Sequence, residues 1–354
     1  VQKHDRLLEI RNLHVEFPLK QGTVRALQGV DLTFNRGETL GLVGESGCGK
    51  SMTARAMLGL VPDPGEVTQG EILLYRKNED PIDITKLHPD GDAIRKIRGA
   101  DIAMVFQEPM TSLSPVHTIG NQIMEAVILH QRTSKDRAAE LAVEMLEAVG
   151  LPDAPRQLST YPFELSGGMR QRVMVAMALS CNPKLLIADE ATTALDVTIQ
   201  AQILNLLKGL QEERNMSILV VTHNLGVVAA VTHRVAVMYL GRIVEEAPVE
   251  KVFGDPKHPY TKGLLASVPK IGSRIGGQSA GRLQTIAGDI PDPLLEVSGC
   301  TFNLRCPHYM KGICDVEVPP LLEVSENQHV RCYLYSDEVS ESRKAEAAGG
   351  EIHG

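Results

Sequence analysis

The segment GESGCGKS, Gly44–Ser51, carries the spacing G-x-x-x-x-G-K-[ST]. Glycines at 44, 47 and 49 let the backbone wrap tightly enough for its N–H groups to converge on phosphate oxygens. Lys50 would then reach the terminal phosphates of a nucleotide, and the Ser51 hydroxyl would ligate Mg²⁺. The apolar run TLGLVG (39–44) precedes the loop and a helical pattern follows it, the flanks that separate a phosphate loop from an incidental glycine-rich turn. Nucleotide-binding positions are therefore expected at Gly44, Glu45, Ser46, Gly47, Cys48, Gly49, Lys50, Ser51 and Met52. Cys48 occupies a variable position of the loop and is read as incidental to the chemistry.

A second apolar run, LLIAD (185–189), ends on Asp189 and is followed by Glu190. An acid at the carboxyl edge of a strand beside a phosphate loop can hold the Mg²⁺ shell, and the next carboxylate can polarise an attacking water. LSGGMRQR (165–172) sets Leu165, Ser166, Gly167, Gly168 and Met169 at a predicted helix start, a second glycine-rich anion site. One γ-phosphate needs two such sites only if they come from different subunits.

These motifs, in this order, resemble the ATP-binding subunits of ABC transporters over residues 5–265, with LSGGMRQR as the signature motif. The resemblance implies an α/β P-loop nucleotide-binding domain: a RecA-like core, an antiparallel β subdomain and an inserted helical subdomain. It implies that ATP and Mg²⁺ bind, with Ser51, Gln107 and Asp189 around the ion. Gln107 in MVFQEP matches the Q-loop, Glu190 the catalytic base, Asp196 in ALD the D-loop and His223 in VVTH the switch histidine. Phe17 is either the aromatic that stacks on adenine or a strand core residue. The implied partners are a second ATPase subunit, read as a paralogue, packed head to tail, two membrane permease subunits and an extracytoplasmic substrate-binding protein. Ala191 stands where the family usually has proline and Asn224 where it has aspartate. Neither departure removes a catalytic group, but Ala191 frees the turn that carries Glu190, so an active, slower ATPase is expected.

The elements that position these groups follow from the pattern. LLEIRNLHVEF and VRALQGVDLTF read as antiparallel strands near the start. Buried strands at TLGLVG, IAMVFQ (102–107), LLIAD and ILVVTH (218–223) alternate with helical stretches, which indicates a parallel sheet. Residues 110–180 are mostly helical and interrupt the alternation as an inserted lobe. KIGSRIGGQSAGR (270–282) reads as a linker, and 337–354 as a disordered tail. The net charge of −8, with no tryptophan and 4% aromatics, argues against a nucleic-acid partner. No apolar run approaches the roughly 18 residues of a membrane span and the start lacks an apolar signal region, so a cytosolic chain is expected.

Cys300, Cys306, Cys314 and Cys332 are spaced C-x5-C-x7-C-x17-C, and Cys181 reads as an ordinary core residue. That spacing alone does not choose between zinc, an iron–sulfur cluster and free thiols. HPYTKGLLASVP (258–269), GDIPDP, GCTFNLRCPH and EPMTSLSP (108–115) resemble the peptide/nickel class of importers, extending the match to about residue 335. That class implies ATP-driven import of di- or oligopeptides, or a related small solute, from the cytoplasmic face of the membrane. It also implies a [4Fe–4S] cluster on the four cysteines, with Zn²⁺ as the alternative, in a structural or redox-sensing role. The expected organisation is a nucleotide-binding domain over 5–265, a cysteine-bearing extension over 266–336 that folds at a distance from the motor, and the tail. The competing reading is a soluble ABC ATPase that acts outside transport.

Overall fold

The computed structural model describes residues 6–106, 112–190, 197–267 and 286–336. β1 (Arg6–Leu19) and β2 (Gly22–Asn35) form a long antiparallel hairpin, and β4 (Glu66–Leu74) and β5 (Ile82–Asp83) extend it to a four-stranded sheet of order β2-β1-β4-β5. The second sheet has eight strands in the order β11-β12-β10-β9-β3-β8-β7-β6. Its centre is parallel: β3 (Thr39–Val43), β6 (Ile102–Val105), β7 (Leu185–Asp189), β8 (Ser217–Val221) and β9 (Arg234–Tyr239). β3, β7 and β8 are buried at every position, as near-continuous apolar runs must be when both faces of the sheet are covered.

The predicted helical lobe contains the helices Ile119–Gln131, Lys135–Ala148 and Gly167–Leu179. Thr118 and Ser134 cap the first two by accepting hydrogen bonds from Asn121 N–H and Arg137 N–H. Ile123, Val127, Ala142, Leu146, Val173 and Ala176 bury one stripe of each helix in a core shared with Val105, Leu186 and Val220 of the sheet. The opposite core joins Leu8, Ile10 and Val30 of the hairpin to Leu40 and Leu42 of β3.

The C-terminal extension differs from its expected place. β12 (Gln328–Val330) pairs antiparallel with β10 (Arg242–Pro248), and β11 (Leu322–Ser325) pairs with β12, so the extension completes the edge of the motor's own sheet. Behind this edge Tyr239 of β9, Tyr260 and Phe302 form an aromatic cluster with ring centroids 4.7–5.5 Å apart. All three are essentially without solvent contact, and burial of the Phe302 ring alone contributes about 2–3 kcal/mol. The extension is therefore not distant from the motor: Phe302 and Val330 are buried against the motor's edge.

One buried carboxylate ties this edge together. Glu245 of β10 has no exposed surface; it accepts hydrogen bonds from Lys257 N–H (2.8 Å) and His258 N–H (2.8 Å), ahead of the helix Pro259–Ala266, and from the Gln328 amide of β12 (3.1 Å). Glu245→Ala removes the acceptor of the Lys257 and His258 N–H groups and one of the two acceptors of the Gln328 amide, and should lower stability by about 3 kcal/mol in chemical unfolding. It should also make the segment 286–336 sensitive to protease, while Glu245→Gln should lose less. Wild-type stability and protease resistance in Glu245→Ala would show that this knot does not hold the extension.

Candidate active site

The phosphate loop leaves β3 at Gly44 and enters the helix Lys50–Ala56, whose N-cap is Gly49. Two of its glycines answer to hard contacts. A Cβ on Gly44, at φ +155°, would lie 2.2 Å from Met238 O, and one on Gly49, at φ +107°, would lie 2.7 Å from Ala26 O. The loop is thus pressed against β2 and β9, and only a backbone without side chains fits. Lys50 is buried; its Nζ donates to Gly44 O (2.8 Å) and Glu45 O (2.9 Å), so the ammonium is held inside the loop's curve by the loop's own carbonyls. Gly241 N–H donates to Cys48 O (2.8 Å), bracing the far side of the loop from the β9–β10 turn.

β7, the neighbour of β8, delivers Asp189 to the same edge of the sheet. Ser51 Oγ donates to Asp189 Oδ1 at 2.9 Å, which joins the two predicted Mg²⁺ ligands directly. Burial pushes the Asp189 carboxyl above the usual range; the Ser51 hydrogen bond opposes this rise, and Glu190 beside it adds to it. A divalent cation would reverse that shift by favouring the carboxylate. Glu190 lies in the left-handed region at φ +46°, with its N–H donating to Val221 O (2.9 Å) at the end of β8. Its Oε1 lies 3.1 Å from Nδ1 of His223, so the expected base and the switch histidine form one pair. Asn224 keeps the structural service of the aspartate it replaces. Its Oδ1 accepts from Gly226 N–H (3.0 Å) and Val227 N–H (3.3 Å), capping the helix Leu225–Val231.

Ser166 is the N-cap of the helix Gly167–Leu179, its Oγ accepting from Met169 N–H at 3.3 Å. Ser166 and Gly167 are exposed, and a Cβ on Gly167 would meet nothing within 4 Å, while Leu165 is buried below them. The helix start is open to an approaching group. Phe17 is half-buried on β1, packed on the hairpin core with its ring against Gly65. Gln107, Asp196 and Ala191 lie outside the described residues.

Cys300, Cys306, Cys314 and Cys332 line one enclosed pocket together with His258, Phe302 and Met310, and none of the four is in a disulfide. Burial pushes the Cys300 thiol up to about 11 and the Cys332 thiol up to about 12, and the neighbouring cysteines add to both rises. His258 is fully buried and neutral, its ordinary range lowered to about 3 by burial and then by Lys262. Its Nδ1 accepts from Tyr260 N–H, which leaves the proton on Nε2, and that atom has no partner among the described residues. Among the described residues no group of three or more His, Cys, Asp or Glu side chains is arranged to hold a metal ion.

Sequence reasoning missed the groups that hold the loop from behind. Tyr260 accepts the Glu45 N–H at 2.8 Å, and Arg305 pairs with the Glu45 carboxylate. Both were in view within HPYTKG and NLRC, but contacts 215 and 260 residues apart leave no spacing signal.

Residues 27–193 match the family model of the ABC transporter, and residues 244–314 match that of the oligopeptide/dipeptide transporter C-terminal region. The chain is 50% identical over 333 residues to a putative peptide import ATP-binding protein of Brucella ovis, covering 94% of this chain and 98% of that protein. It is 48% identical over 336 residues to the oligopeptide transport ATP-binding protein AppD of Bacillus subtilis, covering 95% of this chain and 98% of AppD. Among solved structures, the ATP-binding cassette MJ0796, dimeric in a post-hydrolysis state with ADP and Pi, matches at a TM-score of 0.60 and 31% identity, over 69% of this chain and 99% of that one. These likenesses set aside the reading of a soluble ATPase outside transport. Identity of this level, running through motor and C-terminal region alike, makes the chain a member of the ATP-binding subunits of peptide-class ABC importers, and an ATPase.

Proposed function

We propose that this chain hydrolyses ATP to power the import of dipeptides or oligopeptides, acting at the cytoplasmic face of a membrane through permease subunits fed by an extracytoplasmic binding protein. Among the described residues no helix is long and apolar enough to cross a membrane. The observation that carries the reading is the exposed signature serine at a capped helix start in a chain with an intact phosphate loop. MJ0796 is dimeric with nucleotide products bound, and this chain would likewise close against a second ATPase subunit, its Ser166 and Gly168 meeting the γ-phosphate on the partner's phosphate loop.

In this mechanism Lys50 exchanges the carbonyls of Gly44 and Glu45 for the β- and γ-phosphates. Mg²⁺, when bound, neutralises phosphate charge, with Ser51, Asp189 and Gln107 as the residues that would hold it. Glu190, oriented by its contact with His223, takes the proton of the attacking water. Glu190→Gln should bind ATP yet lower turnover by at least about a hundredfold. Held with Mg-ATP, that variant and its partner subunit should elute as a closed dimer of motors, and adding Ser166→Arg should abolish the dimer. Normal hydrolysis in Glu190→Gln, in a complex whose partner site is also disabled, would remove Glu190 as the base. A dimer indifferent to Ser166→Arg would remove the head-to-tail arrangement.

For the cysteine site the reading is a [4Fe–4S] cluster rather than zinc. Such a cluster takes one thiolate per iron, and the four cysteines line one enclosed pocket whose free volume of about 10 Å³ would have to widen to admit it. Its anionic sulfur would suit a pocket lined by His258, whose buried Nε2–H has no partner among the described residues. Protein purified without oxygen should be brown, with broad absorption and iron and sulfide near four each per chain. Cys306→Ser with Cys314→Ser should bleach it. One zinc and no iron, or no metal in anaerobic material, would overturn the cluster.

A further inference from the structure

The carboxylate of Glu45 is an awkward group for its address. It is the second residue of a loop whose task is to receive a triphosphate, and an unneutralised acid there repels the ligand through partly excluded water. The structure answers that charge from the far end of the chain. Arg305 Nη1 donates to Glu45 Oε2 (2.8 Å) and Nη2 to Glu45 Oε1 (3.2 Å), the bidentate fork of a guanidinium on a carboxylate. The Arg305 side chain is only 5% exposed; its Nη1 also donates to Tyr239 OH (3.3 Å), and its Nε donates to Ala287 O (3.2 Å). The guanidinium is thus aimed by the aromatic cluster and by the extension, and the pair is not a loose surface contact. Tyr260 holds the same residue by its backbone, accepting the Glu45 N–H at 2.8 Å.

We infer that Arg305 is a positioning residue for ATP: it neutralises the Glu45 carboxylate and turns it away from the phosphates, so the C-terminal extension sets the nucleotide affinity of the phosphate loop. The inference rests on Gly44–Ser51 being the nucleotide site. In this role Arg305 acts through Glu45 alone. Since Arg305 precedes Cys306, the charge that serves the loop is carried on the segment that contributes a thiol to the cysteine pocket.

The electrostatic account makes a signed prediction that simple anchoring does not. Mg-ATP binding is measured by calorimetry on the full-length chain in a Glu190→Gln background, where hydrolysis does not interfere. Arg305→Ala should weaken Mg-ATP about tenfold, by leaving a bare carboxylate in the loop. Arg305→Lys, which keeps the charge but not the fork, should stay within about threefold of the parent. Arg305→Ala with Glu45→Gln should return to within about twofold, because the charge that needed neutralising is gone. An Arg305→Ala affinity within twofold of the parent would overturn the inference. So would a double variant as weak as Arg305→Ala, the result expected if Arg305 merely pins the extension. If Arg305→Ala does not fold, the exchanged pair Arg305→Glu with Glu45→Arg takes its place. That pair should bind more tightly than Arg305→Glu alone, and equal affinity would overturn the inference. Lys50→Ala reports separately on the site: binding like the parent's would show that the loop assignment itself is wrong.

Discussion

The chemistry of this protein depends on how closely the phosphate loop is pressed into its surroundings. Gly44 sits where a Cβ would lie 2.2 Å from Met238 O, and Gly49 where one would lie 2.7 Å from Ala26 O. That approach curls the backbone enough for Lys50 to be buried inside it, bonded to the carbonyls of Gly44 and Glu45. It also sets Ser51 at 2.9 Å from Asp189, whose strand end in turn sets Glu190 against His223. Each group is placed by a strand or helix terminus, and the parallel strands β3, β7 and β8 bring those termini to one edge. The lysine is satisfied by the loop's own carbonyls, two good hydrogen bonds with which a phosphate must compete.

The loop is braced at three points by the rest of the chain. The β9–β10 turn holds Cys48 O, Tyr260 holds Glu45 N–H, and Arg305 holds the Glu45 carboxylate. The last two belong to the stretch that follows the motor's sheet. Glu245 and the cluster of Tyr239, Tyr260 and Phe302 join that stretch to β9 and β10. A disturbance at the cysteine pocket, which shares Phe302 and His258 with this joint, has a short physical route to the nucleotide.

What could be read from the sequence was what lies close in sequence. The phosphate loop, the strand that ends on Asp189 and the serine that caps the signature helix each occupy a handful of consecutive residues with their own flanks, and the parallel sheet followed from buried runs alternating with helical ones. The substitution of Asn224 for aspartate looked like a departure, yet its amide oxygen caps the helix Leu225–Val231 as a carboxylate would. The place of the extension was not legible. The sequence suggests a module beyond a linker, whereas β12 pairs with β10 and Arg305 crosses 260 residues to reach Glu45. Burial drives such contacts, and no local period records them. Phe17 shows the same limit: one aromatic on a strand fits a ligand face and a core equally well, and only its packing on Gly65 shows where the ring lies.

The central claim is that the chain beyond β10, from Tyr260 to Arg305, holds the phosphate loop in place, and amide hydrogen exchange at Glu45 tests its Tyr260 contact most directly. Tyr260→Phe removes only the hydroxyl that accepts the Glu45 N–H, while the ring remains in the aromatic cluster. In the full-length chain without nucleotide, peptides containing Glu45 should exchange faster in Tyr260→Phe than in the wild type, while the strand Thr39–Val43 keeps its protection. Equal exchange at Glu45 in the two proteins would contradict the account.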